Sequence, residues 1–115
     1  MTLRPNTYDP DAIFHQLEDA AEERANAEQE YHQLERMGEI LLADLQVQAK
    51  NRGNPVGLCK EIARTAPEWR THIEGEAVAR GRLSRARARY ENLKILAEAR
   101  RSQEASMRVL TGRTV

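Results

Sequence analysis

One interruption governs what this chain can fold into. From Asp11 to Lys50 there is no proline and a single glycine, Gly38. The segment Asn51-Arg-Gly-Asn-Pro-Val-Gly57 then gathers two Gly, two Asn and one Pro into seven residues, the composition of a turn. A second long stretch, rich in Ala, Arg, Glu and Leu, runs from Ala66 to Arg108 with no proline after Pro67. Good helix formers on both sides of one turn predict two helices folded back on each other. The expected fold is therefore all-α: an antiparallel two-helix coiled-coil hairpin with a short helix at the bend.

The ends of the first helix are marked. Asp9 offers a side-chain acceptor to a free first-turn N–H, Pro10 presets the first helical φ, and Asp11 favours the positive dipole end. Spacing by threes and fours selects Leu17, Ala20, Arg24, Ala27, Tyr31, Leu34, Gly38, Leu41 and Leu45 as a seam. Arg24 breaks it in polarity, so its methylenes are expected to cover the seam while its head bends to the edge. Helix one is placed at residues 9–50 and the turn with its short helix at 51–64, where Leu58, Cys59 and Ile62 face inward. Thr65-Ala-Pro-Glu68 reads as a capping box opening a helix over residues 66–108. Its seam is Trp69, Ile73, Leu83, Ala86, Tyr90, Leu93 and Ala97, weakened between Glu74 and Gly81. Within a hairpin domain of residues 9–110, residues 1–8 read as a loose arm and 111–115 as a disordered tail.

Composition removes other classes. Five aromatics among 115 residues leave little material for a two-layer core, and a lone Cys59 excludes a disulfide scaffold. No signal peptide is expected, because Arg4, Pro5, Asn6 and Asp9 stand where an apolar segment would be. No run approaches the roughly 18 apolar residues that cross a bilayer. The expectation is a cytoplasmic protein with no membrane partner.

The formal charge is zero, yet it is unevenly placed. Residues 1–50 carry four Lys/Arg against eleven Asp/Glu, a net of −7, and residues 51–115 carry fourteen against seven, a net of +7. Arg82, Arg85, Arg89 and Arg100 fall along one border of the second helix, and Arg87, Lys94 and Arg101 along the other. Asp19, Glu22 and Glu30 flank one side of the first helix, with Glu28 and Glu35 on the other. Such edge charges set the register of paired helices. The alternative reading gives Arg82, Arg85, Arg89 and Arg100 to nucleic-acid phosphates.

Away from its seam, the second helix repeats small or neutral residues: Gly81, Ser84, Ala88, Asn92, Ile95, Ala99, Ser102 and Ser106. A solvent face would carry Lys, Glu and Gln instead. Gly81, Ser84, Ala88, Ile95, Ala99 and Ser102 are therefore assigned to a self-association face, giving a homo-oligomeric dimer or tetramer. No catalytic, cofactor or metal site is expected. Glu28, His32 and Glu35 share a face, as do Glu68, His72 and Glu76, but no Glu-x-x-His occurs, and these groups read as solvated. Cys59 has no base placed beside it and reads as a small buried apolar group. Trp69 and Tyr90 lie on the seam, so packing and not base stacking is their expected role.

The pattern of Tyr31 with Leu34, Ile40-Leu-Leu-Ala-Asp-Leu45, the Gly/Pro turn, Ala63-Arg-Thr-Ala-Pro-Glu-Trp-Arg-Thr-His-Ile73 and Ala97-Glu-Ala-Arg-Arg-Ser-Gln-Glu-Ala105 resembles small helical-hairpin proteins of tailed phages and prophages. Members of that group often sit beside genes for single-strand annealing recombinases. The resemblance covers residues 16–108 and implies a non-enzymatic accessory role in phage recombination or replication, inside an infected or lysogenic host, without assigning any residue. Secreted WxG-type hairpins have a similar length, but Trp69 is followed by Arg70 and Thr71 and lies inside the second helix. The expected function is an interaction or scaffold protein with a further protein partner of unknown identity. Alternatives are a nucleic-acid-binding accessory factor and an inhibitor of a host defence complex.

Overall fold

The computed structural model describes residues 10–113, and the expectations for Asp9, residues 1–8 and residues 114–115 lie outside them. Three α-helices account for most of the described chain: α1 at Pro10–Asn51, α2 at Cys59–Arg64 and α3 at Pro67–Arg113. A 3-10 turn, Val56–Leu58, precedes α2. There is no strand among the described residues.

The end of α1 shows why the chain turns here. Gly53 has φ +91°, a left-handed conformation that costs an L side chain about 1–2 kcal/mol. That geometry lets the Gly53 N–H donate to Lys50 O at 3.0 Å and the Asn54 N–H to Ala49 O at 3.3 Å. The pair is a Schellman closure of the last helical turn. The Asn54 side chain adds a second donor to Ala49 O at 2.9 Å, and Pro55 prevents any continuation.

Thr65 does not build the expected capping box. It ends α2, and its hydroxyl donates backwards to Ile62 O at 2.7 Å. Pro67, which has no N–H to lose, is the first helical residue of α3, so Ala66 holds the position the box requires of Thr65. At the other end, Thr111 and Gly112 are helical and exposed; they do not start a disordered tail. Thr111 donates its hydroxyl to Met107 O at 2.8 Å inside the helix.

The contacts of α1 and α3 form two compact units. In the unit Asn26–Ser84, Glu30 meets Arg82, Tyr31 meets Arg80 and Gly38 faces His72, so α3 recedes as α1 advances. In the unit of residues 10–25 and 85–113, Phe14 meets Arg101, Glu23 meets Arg89 and Arg24 meets Tyr90, again antiparallel. Each unit pairs a segment of α1 with a segment of α3, and the unit Asn26–Ser84 also holds α2.

Every residue of the α1 seam is buried or half-buried. On α3 the seam follows a different line. Ile73 is exposed at 43%, whereas His72, Glu76 and Ala79 turn inward. At the bend Cys59 and Ala63 are buried, Ile62 is half-buried, and Leu58 stays exposed, contrary to its expected inward place. Seven of the ten buried apolar residues are alanines, with Leu45, Leu83 and Cys59 the others. None of the described large side chains is completely buried.

These placements separate Leu83 from Ile73. Leu83→Ala, in a position only 4% exposed, is expected to lower unfolding free energy by about 2–3 kcal/mol. Ile73→Ala is expected to cost well under about 1 kcal/mol. Urea unfolding followed by circular dichroism measures both.

Candidate functional site

The seam of the unit Asn26–Ser84 contains a polar layer. His72 Nε2 donates to Glu76 Oε1 at 3.0 Å, and their side chains are only 9% and 17% exposed. The imidazole stacks on Trp69 with ring centroids 5.5 Å apart and planes 24° from parallel. Across from it is Gly38, where a Cβ would collide with His72 Nε2 and press on Glu76 Oε1. Gly38 is thus required by the close approach of an imidazole, and the two groups expected to be solvated are packed between helices. A running register of Trp69, His72, Glu76, Ala79 and Leu83 keeps intervals of three and four; following it back from Leu83 would have exposed the polar layer. Glu68 does not join His72 and Glu76 in a metal site: among the described residues no three His, Cys, Asp or Glu side chains come together as ligands.

Several arginines meet acids or aromatic faces across the helix pairs. Arg80 donates to the Tyr31 hydroxyl at 3.0 and 3.3 Å, with its guanidinium 5.6 Å from the ring centroid. That hydrogen bond, then the electrostatic influence of the Tyr31 side chain, pushes the Arg80 guanidinium up from its ordinary value, with burial opposing and Glu76 and Glu35 adding to it. Arg82 pairs with Glu30 at 3.0 Å. In the other unit, Arg89 pairs with Glu23, and Arg101 lies 5.1 Å from the Phe14 ring centroid. Arg24 does not carry its head out to the water-facing edge. Its guanidinium lies 4.3 Å from the centroid of Tyr90, a cation–π contact across the seam. Tyr90 is therefore half-buried beneath a cation and is not a free stacking platform.

Of the four arginines assigned to phosphate, Arg82 and Arg89 hold acids, and Arg100 is half-buried. Arg85 is exposed and makes no ion pair among the described residues. Exposed pairs of this kind contribute roughly 0–1 kcal/mol each, so they select a register more than they hold the fold.

The assigned self-association residues divide by unit. Gly81 is half-buried and Ser84 exposed in Asn26–Ser84. Ala88, Ile95, Ala99 and Ser102 are all exposed in the other unit. A cleft of about 380 Å³ at the bend is walled by Leu45, Ala49, Ile62, Ala63 and Pro67, with Arg52 and Glu68 among its polar residues. Thr65, also at its wall, donates its hydroxyl to Ile62 O. Cys59, buried nearby, points its thiol at Pro55 O, 3.3 Å away. No helix among the described residues is long and apolar enough to cross a membrane. No protein-family model matches the chain, and no curated protein or solved structure matches it significantly.

The polar layer makes a specific demand. Gly38→Ala is expected to destabilise the chain by about 1–3 kcal/mol through overpacking. Adding His72→Ala should recover much of that loss, because the colliding ring is removed. A double-mutant cycle in urea checks the coupling; additive losses would show that Gly38 does not answer to His72.

Proposed function

We propose that this chain is a non-enzymatic interaction and scaffold protein that works by helix-to-helix contact, with a second copy of itself and with another protein. One observation carries the reading. The buried set is mostly alanine, while twelve large apolar residues, from Met37 to Leu110, stand 43–74% exposed. A pair of helices that buries so little gains little against a backbone ordering cost of about 1–2 kcal/mol per residue. Additional helices laid on the exposed apolar groups would supply the missing burial. An accessory role in phage recombination or replication rests on the sequence resemblance alone.

Assembly of this kind has a direct readout. Light scattering on the full chain is expected to give a multiple of 13.1 kDa, falling to the monomer mass in Ala88→Glu/Ala99→Glu. Both alanines are exposed, so the variant should keep its helicity. A monomer at every concentration would remove self-association from the proposal.

Phosphate binding is the weaker reading, because Arg82 and Arg89 already face carboxylates. The expectation is no retardation of single- or double-stranded DNA in a mobility-shift assay at 50 mM salt. Several phosphate contacts would instead give binding that weakens by orders of magnitude between 50 and 200 mM salt. Such binding, abolished by changing Arg85, Arg89 and Arg100 to Ala, would reverse the order of the two readings.

A further inference from the structure

In the unit of residues 10–25 and 85–113, the apolar side chains left open all belong to one helix. Ile95, Leu96, Met107, Val109 and Leu110 are 54–64% exposed, all on α3. The described α1 residues of this unit contribute no exposed large apolar side chain. From Arg101 to Gly112 every α3 residue is exposed. Ordering this exposed end costs about 1–2 kcal/mol of backbone entropy per residue with little apolar burial to offset it, so it is suited to a partner.

The sequence of that end indicates which partner. At 100° per residue, Leu96, Ala99, Gln103, Met107 and Leu110 lie in one stripe. Their intervals are three, four, four and three, the same read in either direction. A two-fold axis passing beside Gln103 therefore lays the stripe on itself in antiparallel fashion. Leu96 then meets Leu110 of the second copy, Ala99 meets its Met107 as small against large, and the two Gln103 amides face each other. Charge agrees with this alignment. Arg100 and Glu104 share one flank of the stripe, and reversal sets Arg100 of each copy near Glu104 of the other. A parallel pairing in register would bring Arg100 and Arg101 beside their own counterparts. The formal net charge of zero adds no long-range repulsion between copies.

We propose that a second copy of this chain docks antiparallel on α3 through Leu96, Ala99, Gln103, Met107 and Leu110, an isologous contact closed by a two-fold axis. This rests on the self-association reading and places it on a stripe that shares only Ala99 with the small-residue face assigned from sequence.

The test uses the full chain carrying Cys59→Ala, so that one introduced thiol is the only one. Gln103→Cys is expected to give a disulfide-linked dimer on mild oxidation, because the axis brings that residue to its own copy. Gln33→Cys, on exposed α1 surface, is expected to stay unlinked. Leu96→Glu/Leu110→Glu should abolish the Gln103→Cys link and reduce the mass to that of a monomer. Circular dichroism should be unchanged in that variant, since both leucines are more than half exposed. An oligomer that keeps its mass in Leu96→Glu/Leu110→Glu and never links through Gln103→Cys would overturn this interface while leaving self-association standing. A monomer throughout would overturn both.

Discussion

Small side chains along the α1–α3 seam are the condition on which the rest of this structure depends. Ala20 and Ala27 on α1, and Ala79, Ala86 and Ala97 on α3, are buried where a longer heptad protein would place leucine. Alanines let helices approach closely, but each removes little apolar surface from water, and stabilisation scales with that surface at roughly 25 cal/mol per Å². The longer side chains at the seam borders therefore contribute in their own way. Arg24 lies over Tyr90, Arg80 over Tyr31 and Arg101 over Phe14. Each sets a guanidinium over an aromatic face, so that a cation and a π-face meet at the border of the seam.

Close approach also explains the polar layer. His72 and Glu76 occupy seam positions that an apolar pair could fill with equal or greater stabilisation. They satisfy each other, and no buried side-chain polar atom among the described residues lacks a partner. What the layer adds is discrimination between registers. Gly38 is the one glycine of α1, and only there does the opposite helix meet no Cβ. Sliding α3 by one heptad would put Tyr31 or Leu45 against the imidazole and leave Gly38 facing other side chains. Alanine-rich seams are permissive to such slips, because one alanine fits much like another. A single histidine opposed to a single glycine removes that freedom.

This contrast explains which parts of the structure could be read from residues alone. The α1 seam was legible because apolar and small residues repeat there by threes and fours without competition. The α3 seam was legible from Leu83 to Ala97 for the same reason. Between Trp69 and Leu83 the buried line runs through His72 and Glu76, and hydrophobicity pointed to Ile73, one position too far round the helix. Thr65 misled through a sound local signal: Thr-x-x-Glu is a capping pattern, but Pro67 fixed the helix start one residue later. Arg24 was recognised as anomalous within the seam, yet its aromatic partner lies on α3 and is visible only when the two helices are laid together. Of the candidate site, the exposure of Ala88, Ile95, Ala99 and Ser102 follows from their distance from the seam. The half-burial of Gly81 does not.

The uneven charge takes on a more exact meaning in the unit of residues 10–25 and 85–113. The surface of its α1 carries Glu18, Asp19 and Glu22, all exposed, and no exposed large apolar group among the described residues. Such a face is strongly hydrated and resists burial. On α3 the basic residues stand beside Ile95, Leu96, Met107 and Leu110. Arginine is the charged residue best suited to such a setting, because its guanidinium is weakly hydrated and its stem is apolar. In this unit the described α1 surface is thus suited to water, and the exposed large apolar groups belong to α3. Under the proposed self-association, α3 of this unit would be the helix that a second copy covers, and the formal net charge of zero adds no long-range repulsion between like chains.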